Sequence, residues 1–138
     1  MKVLAIKPFW ASMIAEGKKT IEVRSRSTNT RGKIAIYASR ATWESELNIS
    51  RINHFPSHYA FPTGAIIATA DLFECFKFVD NLQFGEYNKH HHVLDAYPSF
   101  VVENTYAWCL CNVQKLEQPI TFKMPKGCVV WANYEGEL

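Results

Sequence analysis

Apolar and polar positions change rhythm several times along this chain, and each change predicts an element. Residues 3–6 are apolar throughout, the pattern of a short buried strand. Pro8 presets φ for a first helical turn, and Phe9, Trp10, Met13 and Ile14 follow at helical spacing. Gly17 suits the left-handed stop of that helix. Over 20–24 the rhythm turns to strict alternation, with Ile21 and Val23 on one face and Thr20, Glu22 and Arg24 on the other. Residues 25–31 are polar, Asn29 and Gly32 mark a turn, and 33–38 read as a strong strand. A helix is expected over 41–52, with Thr42 as its cap and Trp43, Leu47 and Ile49 as its apolar residues. Pro56 and Pro62 make 54–63 a loop. Residues 64–78 form a long β-type stretch that Asp71 is expected to break. The stretch 80–100 carries the weakest pattern and reads as a loop with a short helix. Residues 105–113, 120–122 and 128–134 complete the β content, the last two joined by a turn at Pro125, Lys126 and Gly127. Five to seven strands with two early helices predict a mainly β, α+β domain with two or three short helices, built as a closed or nearly closed β-barrel. No repeat or low-complexity linker divides the chain, so residues 1–138 are expected to form one domain.

Composition adds a core and a surplus of rings. The hydrophobic fraction of 48% excludes a disordered chain, and 14% aromatic residues leave material for a stacking surface after the core is filled. No run reaches the roughly 20 apolar residues that span a bilayer, and the N-terminus lacks the apolar stretch of a signal peptide. A soluble, cytoplasmic protein without a membrane partner is therefore expected. Of the four cysteines, Cys109 and Cys111 share one face of a strand, whereas Cys75 and Cys128 stand alone. That spacing lacks the paired ligands of a zinc turn, so reduced thiols packed as small apolar groups are expected, with no metal and no cofactor. The adjacent His90, His91 and His92 would point in alternating directions on an extended segment, and are expected in a solvent-exposed loop. Asp95 and Glu103 are taken as surface charges.

Charge changes the picture more. Residues 1–40 hold nine basic side chains against Glu16 and Glu22, while the remaining 98 hold six basic and eleven acidic ones, so a net charge of +2 hides a basic third on an acidic remainder. That asymmetry fits a face for an anionic partner; chance clustering at a sheet edge is the alternative. The basic third contains Gly17, Lys19, Glu22 and Arg24, a G-x-K-x-x-E-x-R spacing. Glu22 and Arg24 share a strand face, and Lys19 sits at the corner before it. Such a lysine, between an arginine and a carboxylate, has a tunable proton affinity, and Arg24 can grip a phosphate or carboxylate with two bonds. By itself the spacing favours an edge strand with a solvated charged face.

These residues, together with the segments 4–11 and 31–39, resemble the ASCH family, a branch of the PUA-like superfamily. All four defined positions of the family's G-x-K-x-x-E-x-R signature are matched. Segments 64–68 with Asp71 and Leu72, 106–113, Pro119 and Ile120, and Lys126 and Gly127 with Trp131 are also similar to it; 43–61 and 80–100 are not. The resemblance implies a PUA-like β-barrel with a cleft beside the first helix, receiving RNA, a nucleotide or a modified nucleoside. In the binding reading Trp10 and Trp108 stack bases, Lys7, Arg24, Arg26 and Arg40 supply charge, and Ser39 offers a hydrogen bond. Some members of the family are described as hydrolases, acting on acetylated cytidine, and a ribonuclease has been proposed. In that reading Lys19 is nucleophile or proton shuttle and Glu22 the catalytic carboxylate. The acetylcytidine enzymes carry threonine where this chain has Glu22, together with a more distant glutamate, for which Glu86 and Glu103 are the candidates. A purely protein-binding domain is the third reading. Residues 80–100, with Gly85 and Pro98, would suit a cover over the cleft.

Overall fold

The computed structural model describes residues 1–41, 45–127 and 130–138. The expected cap Thr42, Trp43 and Cys128 lie outside them. In chain order the elements are β1 (Lys2–Ile6), α1 (Pro8–Ala15), β2 (Ile21–Arg24), β3 (Gly32–Ala38), α2 (Ser45–His54), β4 (Ala65–Lys77), α3 (Asn81–Glu86), α4 (Asn88–His91), α5 (Val93–Ala96), β5 (Tyr106–Thr121) and β6 (Trp131–Asn133). The fold is mainly β, as expected, but helices are more numerous and shorter than the sequence pattern suggests.

One six-stranded sheet runs in the order β2-β5-β4-β3-β1-β6. β1 pairs parallel with β3, and α1, which connects β1 to β2, buries nearly every side chain it has. The other neighbours pair antiparallel. Residues 106–121 form one unbroken strand where two were expected, and Asp71 does not interrupt β4. Instead the β4–β5 ladder shifts register three times, and at one shift Asn112, in the left-handed region (φ 51°), donates its side-chain amide to Asp71 Oδ2 at 2.8 Å. An extra residue on one strand bends a sheet, so these bulges curl it.

The expected closed barrel is not formed. Among the described residues β2 pairs only with β5, and β6 only with β1. Side chains span the gap: Arg24 of β2 donates to the Ala5 carbonyl of β1 at 2.7 Å, and Trp108 of β5 stacks on Trp131 of β6 at 5.8 Å. Beside β2, the Thr20 N–H donates to the His90 carbonyl and α4 packs against the strand. Leu4, Ile6, Ile14, Ile34, Ile36, Leu72, Trp108 and Leu110 pack together in the main core. A second apolar cluster joins Ile21, Phe78, Phe84, Val93 and Ala107, so the helical segment 81–96 has a core of its own against β2 and β5.

Candidate functional site

The site begins where α1 ends. Gly17 adopts φ 77°, and the reversal it permits lets the N–H groups of both Lys18 and Lys19 donate to the Met13 carbonyl. The turn drives Lys19 inward. Its side chain is 1% exposed, an extreme position for a lysine. Nζ donates to the His91 carbonyl at 2.7 Å, lies 3.7 Å from Glu22 Oε1, and sits 4.6 Å from the centre of the Trp10 ring. Burial lowers the Lys19 pKa from 10.5 to about 8; Glu22 opposes the shift and Arg24 adds to it.

Strand alternation then puts Glu22 and Arg24 on the same face, as the sequence rhythm predicts. Arg24 contacts Glu22 Oε2 through both Nε and Nη2, each at 2.9 Å, while Nη2 also reaches the Ala5 carbonyl. Behind the guanidinium, 5.6 Å away, lies the Trp108 ring. Trp108 is 2% exposed and its Nε1 donates to the Arg26 carbonyl at 2.8 Å. It packs beneath Arg24 and is not among the residues that line the cleft.

A cleft of about 450 Å³ opens over this group, lined by Ala5, Ile6, Lys7, Trp10, Lys19, Glu22, Val23, Arg24, Ser39, Val93, Tyr97 and Phe100. Six of the nine residues singled out from the sequence therefore meet in one place: Lys7, Trp10, Lys19, Glu22, Arg24 and Ser39. Arg26 and Arg40 are exposed and lie outside it. Arg40 packs over Gly64, where its guanidinium stands 2.8 Å from the position a Cβ would take. Glu86 and Glu103 are also exposed and away from the cleft, which leaves Glu22 as the carboxylate among its lining residues.

The second wall comes from the stretch the sequence leaves unreadable. Val93, Tyr97 and Phe100 line it, and the three consecutive histidines fasten it to residues 18–20. They do not form the solvent-exposed loop expected of them. His91 is fully buried; its Nε2 donates to the Phe84 carbonyl at 2.8 Å and its Nδ1 accepts the Val93 N–H at 3.0 Å. Those bonds define a neutral tautomer, and burial lowers the His91 pKa to about 4. His90 Nδ1 lies 3.1 Å from Thr20 Oγ1, and His92 Nε2 donates to the Lys18 carbonyl at 2.9 Å. Nothing in strand or helix periodicity signals these contacts; the aromatics Tyr97 and Phe100 around Pro98 are the one local hint. The described cysteines are free thiols: Cys109 is buried, which raises its pKa to about 11, and Cys75 and Cys111 are half-buried.

The sequence profile of the ASCH domain matches residues 4–120, most of the chain, and the chain belongs to that family. Its fold is similar to that of the ASCH protein from Zymomonas mobilis, with a TM-score of 0.60 at 22% identity over 91% of this chain and 82% of that one. Two point mutants of the same Zymomonas mobilis protein align similarly: one with a TM-score of 0.60 at 21% identity (95% and 85% covered), the other with 0.57 at 21% (87% and 74%). The likeness extends to the fold of the curled sheet. No curated protein matches the sequence. None of the described helices is long and apolar enough to cross a membrane.

Proposed function

We propose that the cleft binds single-stranded RNA or a nucleotide-derived ligand. The observation that carries this reading is the Glu22–Arg24 pair set over buried Lys19 on one wall of an otherwise apolar and aromatic cleft. Trp10, Tyr97 and Phe100 offer flat surfaces to a base, and exposed Lys7 at the N-terminal end of α1 offers charge to a phosphate. Glu22 holds one side of the Arg24 guanidinium and the Ala5 carbonyl holds another, so Arg24 is preorganised before a ligand arrives. The family, whose members are proposed to bind RNA, agrees with this chemistry.

The test is a titration of short single-stranded RNA and of free nucleotides at several salt concentrations. Affinity should fall as salt rises, because phosphate contacts release counterions. If neither RNA nor nucleotide at millimolar concentration alters tryptophan fluorescence or the melting temperature, the binding reading fails.

A second reading, hydrolysis of an acylated cytidine or of RNA, is favoured by one observation, the lowered pKa of Lys19. A lysine that loses its proton near pH 8 can act as nucleophile or proton shuttle, with Glu22 as its acid–base partner. Acetate release from acetylated cytidine, or cleavage of RNA, abolished in Lys19→Met would support it. Turnover unchanged in that variant would put the chemistry elsewhere.

A further inference from the structure

Three side chains outside the cleft converge from separate elements. His54 ends α2, His92 follows α4, and Asp95 lies in α5. His54 Nε2 is 3.2 Å, and His92 Nδ1 2.9 Å, from one and the same oxygen, Asp95 Oδ2. The three donor atoms all lie within 4.8 Å of one another. A tetrahedral zinc ion, with bonds of ~2.0–2.2 Å, holds its ligand atoms roughly 3.3 Å apart. The two edges to Asp95 Oδ2 match that spacing, and the edge between the imidazole nitrogens, within 4.8 Å, closes around an ion.

We propose that His54, His92 and Asp95 bind a divalent transition-metal cation of the zinc type, which clips α2 to the segment 88–96 behind the cleft. The donor set selects the ion: two imidazoles and one carboxylate suit borderline cations, whereas magnesium and calcium take oxygen ligands. The surroundings separate this cluster from a chance surface contact. His92 Nε2 is committed to the Lys18 carbonyl, which aims Nδ1 at the shared point. Asn88 Nδ2 donates to Asp95 Oδ1 at 3.0 Å while Asn88 Oδ1 accepts the Leu94 N–H at 3.0 Å, which leaves Asp95 Oδ2 for the ion. Metal-binding imidazoles and carboxylates are oriented by outer partners in this manner. The ligand side chains are 20%, 18% and 31% exposed, enough for an ion to enter and for water to complete its coordination.

Binding involves no redox change. Both imidazoles bind as neutral rings, His92 through Nδ1 with its proton on Nε2 and His54 through Nε2 with its proton on Nδ1, and protons displaced from the coordinating nitrogens go to solvent. Because His92 also holds the Lys18 carbonyl, the ion braces the backbone next to Lys19. This site is independent of what the cleft binds.

The test uses the whole chain after chelator treatment. Co²⁺ should bind once per chain with the visible absorption of a tetrahedral nitrogen–oxygen site. The near-ultraviolet sulfur-to-cobalt band that any of the chain's four cysteines would give should be absent. Zn²⁺ in large excess over its Kd should raise the melting temperature by roughly 5–10 °C, and Mg²⁺ should not. His54→Ala and, as a shape-preserving second variant, Asp95→Asn should each abolish both signals; Asn88→Ala should weaken Co²⁺ binding about tenfold. Overturning results are no one-to-one Co²⁺ signal, a sulfur band in its place, an equal response to Mg²⁺, or wild-type Co²⁺ binding in both His54→Ala and Asp95→Asn.

Discussion

The strand wall and the helical wall of the cleft meet at one ammonium group, yet they are held in different ways. Glu22 and Arg24 stand on four-residue β2, whose backbone is laddered to β5, and the twofold period of a strand is enough to put both on one face. Val93, Tyr97 and Phe100 come from a stretch whose helices run only four to six residues, too short to persist by their own backbone bonds. That wall persists because Phe84 stacks on His91 at 4.1 Å and on Phe100 at 4.9 Å, and because His90, His91 and His92 bond residues 18–20 or their neighbours. A local device makes one wall, and tertiary contact makes the other.

The sharpest way to break the contrast is His91→Ala. The variant removes a fully buried ring and strips partners from the Phe84 carbonyl and the Val93 N–H. A loss of about 3–4 kcal/mol in urea unfolding is expected. Amide exchange should quicken over 84–100 before it does in β2. His90→Ala, at a half-buried position, should cost less than about 1 kcal/mol. Equal losses in the two variants would mean that the helical wall does not depend on His91.

Next in size is the effect of pH on Lys19. Its pKa is about 8 in the folded chain against 10.5 when exposed, so between those values the unfolded chain binds the extra proton. Stability should therefore rise as pH climbs from 8 towards 10.5, by about 3 kcal/mol in full, and this contribution should be absent below pH 8. In Lys19→Met that rise should vanish. A wild type and variant that run parallel through this window would mean that Lys19 titrates as an exposed lysine does.

The same contrast decides what the sequence discloses. Alternation over 20–24, helical spacing over 9–14 and the glycine at 17 are rules of one or two turns of backbone, and they place Lys19, Glu22 and Arg24 together before any fold is known. The signature of the family occupies that local part. What Trp108 does depends on which strand faces it, so no pattern distinguishes a ring that stacks on a ligand from one that supports Arg24. The histidines mislead for a related reason. Three in a row suggest an extended polar loop, whereas their placement depends on Phe84, on residues 18–20 and on His54, between 7 and 74 positions away. The strand count was legible, but whether the two edge strands meet was not, because that depends on contacts between segments far apart in the chain.

Arg24→Ala sharpens the comparison at the level of ligand. It should lower RNA or nucleotide affinity about tenfold and reduce the salt slope by roughly one charge. Trp10→Ala should weaken binding by about 1–3 kcal/mol if a base stacks there. Trp108→Phe, in contrast, should cost about 1 kcal/mol of stability through the lost bond to the Arg26 carbonyl, with affinity changed less than in Trp10→Ala. The reverse ranking in fluorescence titrations would return Trp108 to the ligand.

The smallest effect expected is that of Arg26→Ala, and it bears directly on how local the strand wall is. Arg26 lies two residues beyond Arg24 and carries the same charge, but its side chain is exposed and outside the cleft. What it gives the structure is its carbonyl, which accepts the Trp108 N–H and survives the substitution. Folding stability should therefore change by less than about 0.5 kcal/mol. Affinity should fall at most a few-fold at low salt, and the difference should disappear near 0.15 M, where the Debye length is ~8 Å. An Arg26→Ala deficit as large as that of Arg24→Ala, persisting at that ionic strength, would extend the binding surface past the cleft mouth along the turn after β2.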